Sequence, residues 1–226
     1  MDLVNGQAAS SISIHDRGLL YGDGLFETIA VRAGRPQLWE RHLRRLSLGC
    51  TRLNIALPAP DLLYREALQA GEGVEQGVLK LMITRGSGGR GYRAPGEGAA
   101  TRILSLHPWP AYPDDYKRDG VAVRICATRL AGNPALAGLK HLNRLEQVLA
   151  RREWADETIA EGLVLDRAGQ VIEGTMSNLF MVHHGVAYTP DLSECGVAGI
   201  MRELILEICA EWSTATRISH FDLDTL

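Results

Sequence analysis

GLKHLNRLEQVLARREW, from Gly138 to Trp154, decides how the rest of this 226-residue chain is read. Leu139, Leu142, Leu145, Leu149 and Trp154 recur near helical spacing, and Asn143 and Glu146 stand three apart in the arrangement of a capping box. The spacing predicts a helix that starts near Asn143. Lys140 then falls just before it, at the end of an extended segment, where a side chain can project into a cleft. A lysine flanking a helix is ordinarily a solvated surface residue. Whether this one does more depends on the segments around it.

The chain is long enough for a substantial core, at 46% hydrophobic residues, in one large domain or two smaller ones. A net charge of -3 and a pI near 6.2, with no long basic run, argue against a nucleic-acid partner. Cys50, Cys126, Cys195 and Cys209 are scattered and form no CxxC pair, so neither a zinc site nor a disulfide framework is expected, and a reducing cytoplasm fits. No stretch reaches the length of a membrane span, and MDLVNGQAAS lacks the charged, apolar and small-residue series of a signal peptide.

Toward the N-terminus, Leu3-Val4, the turn pair Asn5-Gly6 and Ser11 to Ile14 read as a short hairpin. Leu25 to Val31 reads as a strand, Ala33 to Pro36 as a turn, and Trp39 to Cys50 as a helix with Leu43, Leu46 and Cys50 on one face. A second helix is predicted over Asp61 to Ala70. Strands at Val78 to Thr84 and Ile103 to Leu106 flank the loop RGSGGRGYRAPGEGAAT. HPWPAYPDDYKRDG, His107 to Gly120, has the proline-rich and charged composition of a connection. It divides the chain into residues 1–108, a linker 109–119 and residues 120–226. The second part reads as a mixed, hairpin-rich sheet: Val121 to Ala127, Gly162 to Leu165, Gln170 to Glu173, Asn178 to Val182 and Val186 to Tyr188. An amphipathic helix follows, entered through Gly196 and Gly199 and marked by Ile200, Leu204, Ile205, Ile208 and Trp212.

Three segments carry candidate chemistry. The glycine-flanked helix start GVAGIM exposes backbone N–H groups at the positive end of a helix dipole, which suits a phosphate, although glycines also punctuate ordinary loops. Arg45, in a helix, offers a planar donor fork for such an anion or is simply solvated. EGTMSNLF puts Glu173 on a half-buried strand, where a carboxylate is either a strand-end surface residue or the counter-ion of something in a cleft, such as a ligand's ring nitrogen. The loop Arg85 to Tyr92 is either a mobile connector or a glycine-hinged arm that carries Arg85, Arg90 and Tyr92 to an anionic substrate. The seven histidines show no ligand spacing, so no metal is expected.

Together HDRGLLYGDGLFET, WERHLRRL, RGSGGRGY, NPALAGLKHLNRLEQVLARREW, EGLVLD, EGTMSNLF and GVAGIMRE resemble the fold-type IV pyridoxal-phosphate enzymes along nearly the whole chain. YGDGLFET, EGTMSNLF and GIMR have the general form seen in branched-chain and D-amino-acid aminotransferases. KHLNRLEQ with RGSGGRGY is similar more narrowly to the aminodeoxychorismate lyases. The resemblance implies a two-domain, mixed α/β (α+β) architecture with pyridoxal 5'-phosphate as cofactor. Lys140 matches the lysine that holds the cofactor covalently, Glu173 the acid that keeps its ring nitrogen protonated, and Arg45 the phosphate-binding arginine. Ile200 and Met201 match the helix-start amides on that phosphate, and Asn143 and Asn178 are weaker candidates for lining the cofactor. The implied reaction is conversion of aminodeoxychorismate to 4-aminobenzoate and pyruvate, a step toward folate, in a cytoplasmic homodimer.

An aminotransferase of the same fold is the runner-up, because cofactor residues do not separate transamination from elimination. A non-catalytic phosphate-binding protein stands third. The family continues beyond the position of FDLDTL with a strand-rich segment, so the resemblance leads to the expectation that the C-terminal part of the family domain is missing.

Overall fold

In the computed structural model, which describes residues 1–94 and 100–226, the chain divides into two units. One comprises Met1–Ala111 with Lys140–Asn143, the other Tyr112–Leu139 with Arg144–Leu226. The first opens with β1 (Leu3–Val4) and β2 (Gln7–Ala8), an antiparallel hairpin closed by Asn5 and Gly6, both at positive φ. The hairpin partner is therefore Gln7–Ala8 and not Ser11 to Ile14, because a turn this tight brings back only the residues next to it. A short helix, α1 (Arg17–Tyr21), is capped by the Asp16 carboxylate on the Gly18 N–H at 2.8 Å. It ends on Gly22 at φ 64°, where any Cβ would collide with the Asn143 side chain.

β3 (Gly24–Arg32) follows, then β4 (Arg35–Pro36), α2 (Trp39–Leu53), α3 (Pro60–Gly71), β5 (Gln76–Thr84) and β6 (Thr101–Pro108). The strands form one six-stranded sheet in the order β2-β1-β6-β5-β3-β4, with every pairing antiparallel. Period-two alternation puts Leu25, Ile29 and Val31 of β3, Leu79, Leu81 and Ile83 of β5 and Leu104 of β6 on one buried face. α2 packs on β3 and α3 on β5 and β6. Each such side chain withdrawn from water is worth roughly 1.5–3 kcal/mol, which fixes the register because a one-residue slip would expose the whole set.

The second unit contains α4 (Tyr116–Asp119), β7 (Ala122–Leu130), α5 (Leu145–Arg151), β8 (Ile159–Asp166), β9 (Val171–Gly174), β10 (Met181–His183), β11 (Val186–Pro190), α6 (Ile200–Glu211) and β12 (Thr216–Ser219). Two three-stranded sheets result, β7-β8-β9 and β10-β11-β12, each with one parallel and one antiparallel pairing. Cys126, Leu130, Ala150, Trp154, Val164, Ile172, Leu192 and Cys195 form a buried cluster under the first of them.

The strand expected over Asn178 to Val182 begins only at Met181, because Asn178 turns its side chain onto Val197 instead. The apolar series that opened the sequence reading is also split. Leu139 and Trp154 are buried, whereas Leu145 is 75% exposed and Leu149 50% exposed. The helix starts at Leu145 with Arg144 as an N-cap that makes no side-chain capping bond. No capping box forms: Asn143 Nδ2 donates to the Gly22 carbonyl at 3.1 Å, and Glu146 Oε1 accepts the Ala131 N–H at 2.9 Å. Partners distant in sequence outcompete the local box.

Candidate active site

In the first unit, β4 covers only the Val31–Arg32 end of β3, which leaves the edge at Gly24–Phe26 without a strand from that hairpin. The segment Lys140–Asn143 takes it. The Phe26 N–H donates to the Lys140 carbonyl at 2.9 Å, the Leu142 N–H to the Gly24 carbonyl at 3.0 Å, and His141 bridges antiparallel to Leu25. Lys140 is thus held by backbone pairing and not trailed from a helix. Its Nζ lies 4.4 Å from the centroid of the Phe26 ring, and Lys80 Nζ of β5 lies 5.3 Å from the same centroid.

Arg45 projects from α2 onto Glu27, which is 1% exposed on the core face of β3. Arg45 Nε donates to Glu27 Oε1 at 2.8 Å and its Nη2 to Oε2, and His42 Nδ1 lies 2.7 Å from Oε2. Burial resists the charge on Glu27 most strongly, yet Arg45 and His42 outweigh it and hold the carboxyl below its ordinary range. Glu27 was passed over in the sequence, although a signal was there. It sits in phase with Leu25, Ile29 and Val31, and a carboxylate on an apolar stripe requires a cationic partner.

The loop candidates part company. Arg85 is engaged by the protein itself: Nε and Nη2 clasp the two Asp23 oxygens at 2.7 and 2.9 Å, while Nη1 and Nη2 donate to the Asn54 and Leu53 carbonyls at the end of α2. Its donors are spent on joining the YGDG turn to that helix end. Arg17 reaches Asp23 from the other side at 2.9 Å and donates to the Gly91 and Tyr92 carbonyls. Burial opposes ionisation of Asp23 most, but these two arginines prevail and lower its pKa. Arg90 is exposed, and Tyr92 is 88% exposed with its ring 5.5 Å from that of Tyr21. Pro95–Ala99 of the same loop lie outside the described residues.

In the second unit, Glu173 on β9 is 4% exposed. Its Oε2 accepts the Val197 N–H at 2.8 Å, with Asn178 Nδ2 at 3.5 Å, and the same amide donates to the Val197 carbonyl at 2.9 Å. The loop before α6 is anchored further by a ladder to Gly138: the Gly138 N–H donates to the Gly196 carbonyl and the Ala198 N–H to the Gly138 carbonyl, both at 3.0 Å. Gly196, at φ 84°, has no substitute, since a Cβ would meet Leu192 and Ile172 at 2.8 and 2.9 Å and Glu173 Oε2 at 3.3 Å. A Cβ on Gly199 would collide with Asn178 Oδ1. α6 then begins at Ile200 after Gly199, which has no side chain to cap the N–H groups of the first turn, those of Ile200 and Met201 included. Arg202 pins the helix to β11 through the Thr189 hydroxyl at 3.0 Å and the Pro190 carbonyl at 2.9 Å. Among the described residues there is no cluster of three or more metal-ligating side chains and no helix long and apolar enough to cross a membrane.

The chain belongs to the class IV amino-transferase family, whose model matches residues 24–226. Among its relatives, an aminodeoxychorismate lyase of Vibrio harveyi is 36% identical over 99% of this chain and 82% of its own length. The crystal structure of 4-amino-4-deoxychorismate lyase from Pseudomonas aeruginosa superposes with a TM-score of 0.95 at 51% identity, covering 99% of this chain and 83% of that one. A hypothetical aminotransferase from Mycobacterium tuberculosis in its PLP-bound form shares the fold, with a TM-score of 0.80 at 22% identity over 96% of this chain and 78% of that one.

Proposed function

We propose that this chain is a pyridoxal 5'-phosphate-dependent lyase that converts 4-amino-4-deoxychorismate to 4-aminobenzoate and pyruvate, a carbon–oxygen elimination on the way to folate. The observation that carries the reading is the likeness to two lyases across nearly the whole chain. The residues present fit the cofactor. Gly196 and Gly199 keep clear the space a Cβ would take beside Glu173 and Asn178, and the uncapped start of α6 supplies donors for an anion.

Pyridoxal phosphate, when bound, supplies an electron sink for the pair released from a carbon–hydrogen bond. Lys140 would hold the cofactor, and its Nζ would take the proton from the carbon that bears the substrate's ring amine. Glu173 holds a negative charge toward the ring nitrogen, and its anchoring by Val197 and Asn178 keeps that charge in one place. The first-turn amides of Ile200 and Met201 would bind the phosphate, and Arg45, held in orientation by Glu27, is a further candidate donor for it. Asn178, bonded to the Val197 carbonyl, steadies the loop before them. Asn143 has a lesser part, since it ties the lysine segment to Gly22. In the substrate, the carbon–hydrogen pair becomes a ring double bond, the carbon–oxygen bond to the enolpyruvyl group breaks, and the departing enol takes up a proton to become pyruvate. Aromatisation of the ring drives the step. Arg90 and Tyr92 are the loop residues proposed for the substrate's carboxylates. The working form is a cytoplasmic homodimer with the two-fold contact usual for soluble enzymes.

The test supplies aminodeoxychorismate alone. Continuous, equal release of pyruvate and 4-aminobenzoate over many turnovers is expected, because elimination leaves no amino group behind on the cofactor. A single stoichiometric burst that resumes only on addition of a 2-oxo acid would replace the lyase with an aminotransferase.

A further inference from the structure

Arg144 is part of neither the sequence-derived site nor the roles assigned above, yet it stands at their junction. The four residues Lys140–Asn143 group with the first unit, while both flanking residues, Leu139 and Arg144, group with the second. Those flanking residues are tied to one another, since Arg144 Nη2 donates to the Leu139 carbonyl at 2.7 Å. That hydrogen bond closes the neck of the lysine segment on the peptide unit immediately before Lys140. Arg144 can make it because it is the N-cap of α5, at φ -119° and ψ 25°, outside helical geometry. The side chain is only partly exposed. Burial is the strongest influence on its guanidinium and disfavours the charge, while Glu173 and then Glu146 favour it. Glu146 is itself fixed by the Ala131 N–H. An arginine kept half-buried against burial's cost, favoured by two carboxylates and with a guanidinium hydrogen bond to a carbonyl, has both a mechanical and an electrostatic function.

We propose that Arg144 is a positioning residue for the cofactor chemistry: it locks the neck of the Lys140 segment on the Leu139 carbonyl, and its charge offsets that of Glu173. The first action sets where Lys140 Nζ can reach. The second moderates how strongly Glu173 draws positive charge onto a ring nitrogen, and so tunes the sink. The inference rests on the proposed roles of Lys140 and Glu173.

The two actions separate in a pair of substitutions read on the protein reconstituted with pyridoxal phosphate. Arg144→Met removes both. Cofactor binding, followed by fluorescence quenching, should weaken by about tenfold, and the pH midpoint of the visible absorption band should move upward by about one unit, as expected when one positive charge several ångströms away is deleted at an effective dielectric near 20. Arg144→Lys keeps the charge and loses the planar fork, so the midpoint should return close to wild type while the weakened cofactor binding and a lowered kcat at unchanged KM persist. Wild-type affinity and midpoint in a folded Arg144→Met protein would overturn the proposal. Should that variant fail to fold, Arg144→Lys decides alone: weakened cofactor binding with an unmoved midpoint supports the proposal, and wild-type values for both overturn it. If the wild-type protein itself develops no visible band with pyridoxal phosphate, the failure belongs to the functional reading and not to Arg144.

Discussion

Two buried carboxylates, one in each unit, are held in opposite ways. Glu27 is bonded to a guanidinium on both oxygens and to an imidazole on one, all from α2, so its charge is neutralised by cations of its own unit. Glu173 accepts on Oε2 from the Val197 backbone, with the Asn178 amide more distant, and interacts electrostatically with the half-buried Arg144. A bidentate ion pair fixes a carboxylate to its partner, whereas a backbone N–H orients one oxygen and adds no charge of its own. The contrast separates a carboxylate that holds a helix to a sheet from one that can serve a ligand. Breaking each should therefore damage different properties.

Lys140→Ala gives the largest expected effect: loss of the visible band with pyridoxal phosphate and of measurable turnover, with melting of the cofactor-free protein near wild type. A borohydride-reducible adduct persisting in that variant would remove Lys140 from its role. For Glu173→Gln we expect the cofactor to be retained and turnover to fall by roughly 100-fold or more, about 3 kcal/mol of barrier, while stability changes little because an amide can still accept from Val197. Full activity in steady-state assays would show that the two carboxylates do not differ as argued. Glu27→Ala should act chiefly on stability, costing about 3–5 kcal/mol in chemical denaturation, since it strands Arg45 and His42 beside a buried void, with a smaller loss of cofactor affinity because Arg45 loses its orienting partner.

The sequence made part of this legible and hid the rest for identifiable reasons. β3, β5, α2 and α3 follow from periodicity alone, because each has one buried face and a well-marked boundary, whereas α6 follows from its apolar spacing although Ile200 is its one buried residue. Asn143 and Glu146 misled, since a capping box is a local pattern and both side chains found partners far along the chain. Arg85 shows what a local setting omits: its glycine-rich surroundings resemble a mobile arm, and Asp23, 62 residues earlier, takes the guanidinium. Glu27 was legible in principle as a charge on an apolar stripe. The lysine segment's attachment to β3 was not, because nothing in four residues announces which sheet edge they will join.

A smaller effect concerns pH. Glu27 and Asp23 both titrate below their ordinary values of 4.5 and 3.8 in the folded chain. A lowered carboxylate contributes stability that is complete above the unfolded value and is lost as pH falls through the folded one. Stability should therefore be insensitive to these groups above about pH 5 and decline steeply below about 4. Glu27→Gln should flatten that decline in acid-unfolding curves, and an unchanged slope would mean that Arg45 and His42 do not act on Glu27 as described.

The backbone pairing of Lys140–Asn143 with Gly24–Phe26 also has a consequence in time. Asn143 meets Gly22 across 121 residues of sequence, so during synthesis the edge of β3 waits without its covering segment for roughly ten seconds at usual elongation rates. A nascent chain halted near Ala111 would carry that edge bare, in the condition that invites pairing with another chain. The residues that bring the lysine into place thus also seal the first unit against its neighbours on the polysome, and they arrive last.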